Sequence, residues 1–368
     1  MKILYIIDQT NLFGSELHVF DLIRKLAPSN QIKLLAFKDG PLIELINGLG
    51  IDVCIIKVDW LSGIFKAGKV MNLIKGFSPD IIHSHQPKAI FFGSIVSKMA
   101  GKKHIATIHS IPNGFAVAHK GFKKHIVLIF HIFAQYCAEA FSVKSIFLTR
   151  YNKIRYSFFK KKAVVIYNWV SDRLPSNQGI PETENQRHDP HVIKFLSIGS
   201  IDENKGFKEL LEIFNSIRES IKYELLIVGS GDKKTEDYLK NYIIDHNMQS
   251  EVKLLGYQSN LAPVYNNAHY FILLPKEEAF GLVFIEAMHF GLAIICSDMP
   301  QLREIIPAEN IFIKNQNSID RETLDKISNR RYREIVGPIN RSVSKKLFSI
   351  EEQIKLVSEL YVSVITNK

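Results

Sequence analysis

Two glutamates lie in the segment with the clearest chemical pattern, residues 275–291 (PKEEAFGLVFIEAMHFG). Glu278 precedes a Phe280-Gly281 turn, and Glu286 is the one acid in the apolar helix predicted after that turn. A carboxylate in such a helix needs a partner or loses its charge. If it faces a ligand, Glu286 can accept hydrogen bonds from two neighbouring hydroxyls, as a ribose offers. The alternative is an ion pair between Glu286 and a lysine inside the domain.

Two helix starts in the second half of the chain are candidate diphosphate sites. Backbone N–H groups near Gly281 and Leu282 begin the helix that carries the second glutamate, and such groups attract anions. Lys205 and Gly206 begin another predicted helix, just after a strand. A lysine there opposes the helix dipole and needs compensation. We interpret Lys205 as a phosphate-binding cation, although the spacing differs from the G-x-x-x-x-G-K-[ST] loop.

A glycine turn, Gly229-Ser230-Gly231, follows the predicted strand 223–229. A dinucleotide-binding fingerprint requires a further glycine at the position of Lys234. The sequence therefore favours a plain glycine turn over a nicotinamide-binding loop.

The first predicted helix opens with Gly14, Ser15 and Glu16, directly after the first predicted strand. Glycine lets a backbone approach a ligand closely, and a helix start attracts anions. The same residues also fit a tight turn with a capping serine, so both interpretations stay open.

Three histidines stand near the ends of two predicted strands: His83 and His85 in strand 80–85, and His109 in strand 103–110. Ligands of open parallel sheets bind at the carboxyl ends of the strands, so this position favours a functional role. We expect His83 and His85 to point to opposite faces of their strand, so that only one reaches the ligand. This expectation disfavours a metal site, and none is predicted.

The composition is that of a globular protein: 368 residues, 46% hydrophobic and 23% charged. Disordered and collagen-like chains are excluded, and at roughly 100–200 residues per domain the length predicts two domains. Three scattered cysteines without a C-x-x-C exclude a disulfide framework and a cysteine zinc site. Asp8 interrupts the short apolar run at the start, so we expect no signal peptide and a cytoplasmic protein.

The net charge of +10 is concentrated in the first half, where residues 1–170 carry 23 Lys and Arg against 9 Asp and Glu. This imbalance predicts contact with an anionic surface or partner. The uncharged segment 125–138 is too short for a membrane span, which needs about 20 residues. It fits either an interfacial membrane helix or a buried helix with solvated lysines. The membrane interpretation uses six lysines and one apolar face: Lys120, Lys123, Lys124, Lys160, Lys161 and Lys162, with Ile126, Leu128, Ile129 and Phe133.

Short runs rich in Ile and Val alternate with helical patterns along both halves, which is typical of strands buried in a parallel sheet. The strands are predicted at 2–8, 32–37, 52–58, 80–85, 103–110, 140–144, 163–168, 193–199, 223–229, 252–256, 269–275, 293–298 and 310–314. We predict an α/β protein with a first domain at 1–170, a polar linker at 171–190 and a second domain at 191–347. A final helix within 348–368 is expected to pack back toward the first domain.

The sequence resembles the retaining glycosyltransferases of family four, which have the two-domain GT-B fold. The resemblance covers nearly the whole chain. The strongest element is the E-x(7)-E motif formed by Glu278 and Glu286. The supporting matches are the helix start at Gly14, the D-I-I-H-S-H and T-I-H-S strands, the V-I-x-N-x-V segment at 165–170 and the G-x-x-x-x-x-K-G loop. The expected fold is therefore GT-B, two doubly wound Rossmann-like domains that face each other across a cleft.

The resemblance implies a role for each matched residue. Glu286 would bind the donor ribose, Glu278 the transferred sugar and Lys205 the donor diphosphate. His109 would lie over the reacting sugar near its 6-hydroxyl, so His109, Glu278 and Lys205 are the predicted catalytic residues. The other predicted donor-binding residues are Gly14, Ser200, Gly229, Phe280, Gly281 and Leu282, and the acceptor-side residues are Ser15, Glu16 and His85.

One departure from the family is Ser200, which stands where an arginine is usual. An arginine would give bidentate contacts to the diphosphate, so Lys205 and the helix start must carry the leaving-group charge. The sequence also has no D-x-D triplet for a metal clamp, which predicts a metal-independent enzyme without a cofactor. The resemblance implies a front-face displacement in which the leaving phosphate helps to deprotonate the acceptor.

The expected protein is a bacterial-type glycosyltransferase, peripheral on the cytoplasmic face of the inner membrane. It would move a sugar from a nucleotide-sugar donor to a lipid-linked or oligosaccharide acceptor during polysaccharide or lipopolysaccharide synthesis. The anionic membrane surface is an expected partner, and nucleic acid is not. The alternatives are an inactive sugar-nucleotide-binding protein of the same fold and a nucleic-acid-binding protein that uses the basic half.

Overall fold

The computed structural model of the protein describes residues 1–59, 63–110, 121–174, 192–314 and 318–366, with the side chains of 63–65 and 121–124 outside that description. The chain forms two compact units. The first unit comprises Met1–Trp169 together with Ile350–Lys368, and the second comprises Val170–Ser349.

The first unit alternates strands and helices along the chain. Its elements are β1 (Lys2–Ile7), α1 (Gly14–Leu26), β2 (Gln31–Ala36), α2 (Pro41–Asn47), β3 (Asp52–Ile55), α3 (Gly63–Phe77), β4 (Ile81–His85), α4 (Pro87–Met99), β5 (Lys103–Ile108), α5 (Gly121–Phe141), β6 (Lys144–Phe147), α6 (Arg150–Tyr156) and β7 (Ala163–Val165).

These strands form one parallel sheet in the order β3-β2-β1-β4-β5-β6-β7. The order reverses between β1 and β4, and ligands of doubly wound sheets bind at the carboxyl ends of the strands beside such a reversal. Strand β1 is apolar on both faces because both faces are covered, and Ile3 to Ile7 are fully buried. The loops after β1 and β4 are therefore the expected ligand positions of this sheet, and the loop after β5 lies on the next strand.

The second unit repeats the pattern. Its elements are β8 (Ile193–Ile198), α7 (Phe207–Ile217), β9 (Tyr223–Val228), α8 (Lys233–Asp245), β10 (Val252–Gly256), α9 (Ala262–Asn266), β11 (Tyr270–Leu273), α10 (Leu282–His289), β12 (Ala293–Ser297), α11 (Pro300–Ile305), β13 (Ile311–Ile313), α12 (Arg321–Ser328) and α13 (Arg330–Leu347). Its parallel sheet has the order β10-β9-β8-β11-β12-β13, which reverses between β8 and β11.

The last helix, α14 (Ile350–Thr366), belongs to the first unit, as the sequence predicts. Its buried face includes Ile354, Val357 and Tyr361, which join the core that contains Tyr5 of β1. The Tyr361 hydroxyl lies 3.0 Å from the Tyr5 hydroxyl inside this core. The chain therefore returns to its first unit after the second is complete.

The predicted strand at 140–144 is wrong. Residues Ala140 and Phe141 continue α5, and the strand begins at Lys144. The spacing of buried Ala134 and Ala138 is that of a helix, and Ser142 ends it by donating a hydrogen bond to the Ala138 carbonyl (2.6 Å).

The unit boundary between Trp169 and Val170 lies close to the predicted end of the first domain, and the second unit ends at Ser349. Of the predicted linker 171–190, residues 171–174 belong to the second unit and the remainder lies outside the described residues. Among the described helices, we find none with the length and apolarity that crossing a bilayer requires.

Candidate functional site

The turn after β8 is organised by Asp202. Its carboxylate accepts hydrogen bonds from the Ser200 hydroxyl (2.6 Å) and from the backbone N–H of Asn204 (2.8 Å). The hydroxyl of Ser200 thus bonds within its own turn. The result is a fixed loop that leads directly to Lys205.

Asn204 joins this turn to the loop after β11. Its amide nitrogen donates to the Glu277 carbonyl (2.8 Å), and its amide oxygen accepts from the Glu277 N–H (3.0 Å). Its own carbonyl accepts from the N–H of Lys276 (2.8 Å). The two loops that follow the strands beside the reversal of the second sheet are therefore held together, which fixes the residues on either side of Asn204.

Lys205 and Glu278 form an ion pair across these two loops. The ammonium Nζ of Lys205 donates to Glu278 Oε2 at 2.8 Å, and the two side chains are 20% and 13% exposed. Burial lowers the pKa of Lys205, but the neighbouring Glu278 carboxylate outweighs it, so the pKa of Lys205 is raised and the cation persists. Glu278 is the compensation that a lysine at this helix start requires.

Two glycines begin the helices beside the ion pair. Gly206 precedes α7 with φ +73°, and Gly281 precedes α10 with φ +87°, both in the left-handed region. A Cβ at Gly206 would lie 2.0 Å from the Leu274 carbonyl oxygen, and one at Gly281 would lie 2.5 Å from the Phe284 ring. Both helices begin where the sequence predicts. Their N-terminal dipoles lie next to Lys205 and Glu278, an arrangement suited to an anionic ligand.

Glu286 lies half-buried on α10, one side of which packs into the core through Phe284, Ile285, Ala287 and Met288. The hydroxyl of Tyr265 donates to Glu286 Oε2 at 2.9 Å. Tyr265 is fully buried and stacks on Phe290 with ring centroids 4.9 Å apart. Burial and the Glu286 charge raise the pKa of Tyr265 well above its usual value, so the hydroxyl remains a donor. This contact orients the carboxylate.

The remaining predicted donor-side residues of the second unit have different surroundings. Phe280 is buried, whereas Leu282, the first residue of α10, is half-buried. Gly229 has φ +143°, and a Cβ there would lie 1.8 Å from the carbonyl oxygen of Gly199. Gly229 is therefore required for the close approach of two backbone segments, in agreement with the plain glycine turn that the sequence favours.

The expected opposite orientation of His83 and His85 is wrong. Side chains two residues apart in a strand share a face, and these two rings lie side by side with centroids 4.2 Å apart. Ser84 points to the other face, where its hydroxyl lies 2.9 Å from His104 Nε2. His83 is itself held between the Tyr361 hydroxyl (2.5 Å) and the Thr107 hydroxyl (2.7 Å).

His85 and His109 contact each other directly, with His85 Nδ1 and His109 Nε2 at 2.9 Å. The ring of His18 packs edge-on against His109 (centroids 4.7 Å) and stacks on Trp169 (4.1 Å). Burial lowers the pKa of His18 to about 3 and those of His85 and His109 well below their usual value. All three are therefore neutral imidazoles near pH 7.

His18, His85 and His109 each offer one ring nitrogen within 4.8 Å of the others, so the structure brings together three potential metal ligands that the sequence did not group. Imidazole nitrogens are common ligands of transition metals such as zinc, copper, iron and nickel. One nitrogen of His85 and one of His109 are, however, already engaged with each other at 2.9 Å. That contact pairs two neutral rings, one as donor and one as acceptor, and it leaves His85 Nε2 buried without a hydrogen-bond partner among the described residues.

The start of α1 lies at Gly14, as predicted. The Ser15 hydroxyl donates to Glu16 Oε2 (2.8 Å) and accepts from Gln86 Nε2 (3.1 Å). Glu16 is 3% exposed, and burial raises the pKa of its carboxyl group. Gln86 also accepts from the N–H groups of Asp8 (3.0 Å) and Gln9 (2.6 Å), so it ties the loop after β1 to the loop after β4.

A small cavity of about 30 Å³ borders His109. Part of its wall comes from α5, through His131, Ala134 and Gln135. The predicted residues of the first unit thus form two adjoining groups: Gly14, Ser15 and Glu16 at the α1 start, and His85 with His109 beside this cavity.

Four residues that complete these groups were missed by reasoning from the sequence: His18, Gln86, Asn204 and Tyr265. Gln86 directly follows a strand and Asn204 directly precedes the predicted lysine, so position alone could have drawn attention to both. Tyr265 stands 21 residues before its partner Glu286, with no pattern that links them.

Comparisons with known proteins agree with this architecture. Residues 14–174 match the family model described as Glycosyltransferase Family 4, and residues 181–334 match the model described as Glycosyl transferases group 1. An uncharacterized glycosyltransferase of Methanocaldococcus jannaschii is 24% identical, over 95% of this chain and 94% of its own. The UDP-Gal:alpha-D-GlcNAc-diphosphoundecaprenol alpha-1,3-galactosyltransferase of Escherichia coli is 22% identical, over 94% of this chain and 92% of its own.

Among solved structures, HepE of Anabaena in complex with UDP superposes with a TM-score of 0.82 at 18% identity, covering 99% of this chain and 100% of that one. This likeness establishes the GT-B fold. With family models matching both of its halves and relatives aligned along nearly its whole length, the chain belongs to the family-four, group 1 glycosyltransferases.

Proposed function

We propose that this glycosyltransferase moves a sugar from a nucleoside-diphosphate sugar to a lipid-linked glycan, with retention of the anomeric configuration, during bacterial cell-surface polysaccharide synthesis. The observation that carries the proposal is the Lys205–Glu278 ion pair between the starts of α7 and α10, with Glu286 on α10. The cation and the two helix starts suit a diphosphate. The two carboxylates suit the hydroxyl groups of the ribose and of the transferred sugar on either side of that diphosphate.

The donor site follows from this arrangement. Lys205 binds the diphosphate, Glu286 accepts hydrogen bonds from the ribose hydroxyls, and Glu278 contacts the transferred sugar. The Tyr265 hydroxyl, which donates to Glu286 Oε2, orients this carboxylate for the ribose. A uridine nucleotide is favoured because the E. coli relative is named for UDP-Gal and the HepE structure contains UDP.

The reaction is a front-face displacement. The bond from the sugar C1 to the leaving phosphate oxygen breaks, the bond from C1 to the acceptor oxygen forms, and the acceptor proton passes to the departing diphosphate. Lys205 and the helix starts stabilise the developing charge, so the chemistry proceeds without a metal ion. His109, held at one ring nitrogen by His85, is assigned to the 6-hydroxyl of the transferred sugar.

The acceptor is assigned to the first unit. The start of α1, with Ser15 and Glu16, and the cavity beside His109 are its proposed contacts. A lipid diphosphate acceptor is favoured because the E. coli relative is named for a diphosphoundecaprenol substrate and residues 1–170 are strongly basic. Such a substrate places the enzyme at the cytoplasmic face of an anionic membrane.

The experiment is a transfer assay with a UDP-sugar and a synthetic sugar-diphospholipid acceptor, followed by NMR of the product's anomeric proton. Panels of UDP-, GDP- and ADP-sugars identify the donor. We expect a glycosylated lipid with the donor's anomeric configuration, and E278Q should abolish it. An inverted product would contradict retention. Donor binding without any transfer across acceptors would instead favour an inactive sugar-nucleotide-binding protein.

A further inference from the structure

Helix α5 presents a large apolar face to solvent. Ile126, Ile129 and Phe133 are 53%, 66% and 56% exposed, and their spacing of three and four residues places them on one side of the helix. The small residues Ala134 and Ala138 are buried instead, at 2% and 0% exposure. Helices of globular proteins ordinarily bury their large apolar residues. In α5 the large apolar residues are exposed and the small alanines are buried.

The exposed face is also uncharged. From His125 to Phe141, a fully described stretch, the sequence has one charged residue, Glu139, and that residue is 0% exposed. Contiguous apolar surface of this kind marks a site of interaction with a membrane or a protein.

The segment after α6 extends this face. The ring of Phe158, which is 45% exposed, lies 5.5 Å from the ring of Tyr136 on α5. Buried Glu139 holds the segment in place, since its Oε2 accepts from the Ser157 hydroxyl (2.9 Å) and the Phe158 N–H (3.1 Å). The face is therefore a fixed feature of the first unit.

Exposed lysines follow the apolar face in the chain. Lys160 and Lys161 are exposed and follow Phe158 in the chain. Lys162 does not join them, because its ammonium donates to the Ala140 carbonyl at the end of α5 (2.7 Å). Of the other lysines that the sequence analysis named, Lys120 and the side chains of Lys123 and Lys124 lie outside the described residues.

We propose that Ile126, Ile129, Phe133 and Phe158 insert into the interfacial layer of an anionic membrane, with Lys160 and Lys161 against the lipid phosphates. The surface is hereafter called the α5 face. An uncharged apolar stripe beside cations is complementary to a lipid layer. A second copy of this chain fits less well, because residues 1–170 carry 23 basic against 9 acidic residues and would repel each other.

This inference rests on the proposed lipid-linked acceptor and adds the surface through which the enzyme reaches it. Helix α5 also lines the cavity beside His109, through Ala134 and Gln135. A membrane bound to one side of α5 would therefore lie one helix away from the proposed acceptor contacts. The apolar burial and the cation contacts act together, since single weak anchors bind membranes only marginally.

The test is flotation with vesicles of phosphatidylcholine alone or mixed with phosphatidylglycerol, at low and high salt. The test variant is I126S/I129S/F133S. Its matched control is I244S/I335S, because Ile244 and Ile335 are equally exposed, at 57% and 53%, but lie on helices of the second unit. A third variant, K160S/K161S, removes the cations. Thermal melting verifies that each variant is folded.

We expect the wild-type protein and the control to float with the anionic vesicles at low salt. The triple serine variant should bind at least about tenfold more weakly, which corresponds to about 1.4 kcal/mol. The K160S/K161S variant should lose about tenfold or more of its preference for anionic over neutral vesicles. The reason is that each lysine near an anionic surface contributes about 1 kcal/mol of binding free energy.

Three results would contradict membrane binding by the α5 face. The first is no flotation of the wild type, and the second is equal flotation of the wild type and the triple serine variant. The third is a wild-type protein that is dimeric and does not bind vesicles, together with a triple serine variant that is monomeric. A transfer assay with a detergent-dispersed acceptor separates the two proposals. Transfer without vesicle binding would contradict only the proposal that the α5 face binds a membrane. Vesicle binding without transfer would contradict only the proposed activity.

Discussion

The ammonium of Lys205 lies 2.8 Å from the carboxylate of Glu278, and both side chains are mostly buried. Asn204 bonds to the backbone of Glu277, so the loops that carry the two charges cannot separate without losing further hydrogen bonds. The cation is thus positioned before any ligand arrives. Such preorganisation is what stabilises charge that develops on a leaving group.

Replacing Lys205 should therefore impair turnover more than folding. We expect K205A to lower kcat by about 10²–10³, the loss typical of one preorganised electrostatic contact. K208A is the matched control, because Lys208 pairs with exposed Glu203 at 3.6 Å and should keep near-normal turnover. Steady-state kinetics at saturating donor provide the measurement, and wild-type kcat in K205A would rule out its role at the diphosphate.

Substitution of Gly229 tests whether this glycine is required for the close packing of two backbone segments. G229A places a Cβ 1.8 Å from the Gly199 carbonyl oxygen, whereas a Cβ at Gly256, with φ +65°, meets nothing within 4 Å. Both variants put a side chain on a backbone with positive φ: at Gly256 the left-handed conformation costs about 1–2 kcal/mol, and φ +143° at Gly229 lies further from that minimum. Only G229A adds overpacking, typically about 1–3 kcal/mol more. Urea unfolding should show the larger loss in G229A, and equal losses would mean that the close approach is not rigid.

The buried histidines should make the protein unstable in mild acid. Burial lowers the pKa values of His18 and His104 to about 3 and those of His83, His85 and His109 well below 6.5. Between those values and 6.5 the unfolded chain binds more protons than the folded chain, so stability rises with pH and is lost as pH falls.

Each such histidine contributes up to about 1.4 kcal/mol per pH unit within that window. Glu16 acts in the opposite direction at lower pH, because its raised pKa makes the folded state bind more protons above 4.5. Unfolding free energies measured in urea at pH 7.5 and 5.5 should differ by several kcal/mol. A pH-independent value would show that these rings are accessible to protons in the folded state.

Turnover should persist in excess EDTA. In the proposed mechanism, Lys205 and the helix starts at Gly206 and Gly281 supply the positive charge that a metal ion would otherwise provide. Donor turnover is compared with and without chelator, followed by addition of Mg²⁺, Mn²⁺ or Zn²⁺. Activity that disappears in EDTA and returns with Mg²⁺ or Mn²⁺ would overturn metal independence. Restoration by Zn²⁺ alone would direct attention to the cluster of His18, His85 and His109.

The fold was predictable because its strands are short Ile- and Val-rich runs, and runs such as 2–8 and 193–199 are recognisable without tertiary information. The helix starts at Gly14, Gly206 and Gly281 were equally accessible, since turn chemistry is local. The C-terminal helix was placed correctly with the first unit.

Partners that are distant in the chain could not be predicted in the same way. Tyr265 on α9 contacts Glu286 on α10 only once β11, which lies between these helices in the chain, has folded into the sheet. Lys162 donates to a carbonyl of α5 and so does not join the basic surface. The error at His83 and His85 had a different origin, since the two-residue period of a strand places both on one face. That face is what assembles the histidine cluster.

The most direct measurement is calorimetric titration of UDP-, GDP- and ADP-sugars into the wild-type protein, E286A and Y265F. The wild type should bind one nucleotide class, with UDP-sugars favoured. E286A should weaken that binding by about 10–150-fold, which corresponds to about 1.5–3 kcal/mol for a hydrogen bond to a charged group. Y265F, which removes the orienting hydroxyl, should weaken it less. The central claim is contradicted if no nucleotide sugar binds the wild type, or if E286A binds as tightly as the wild type.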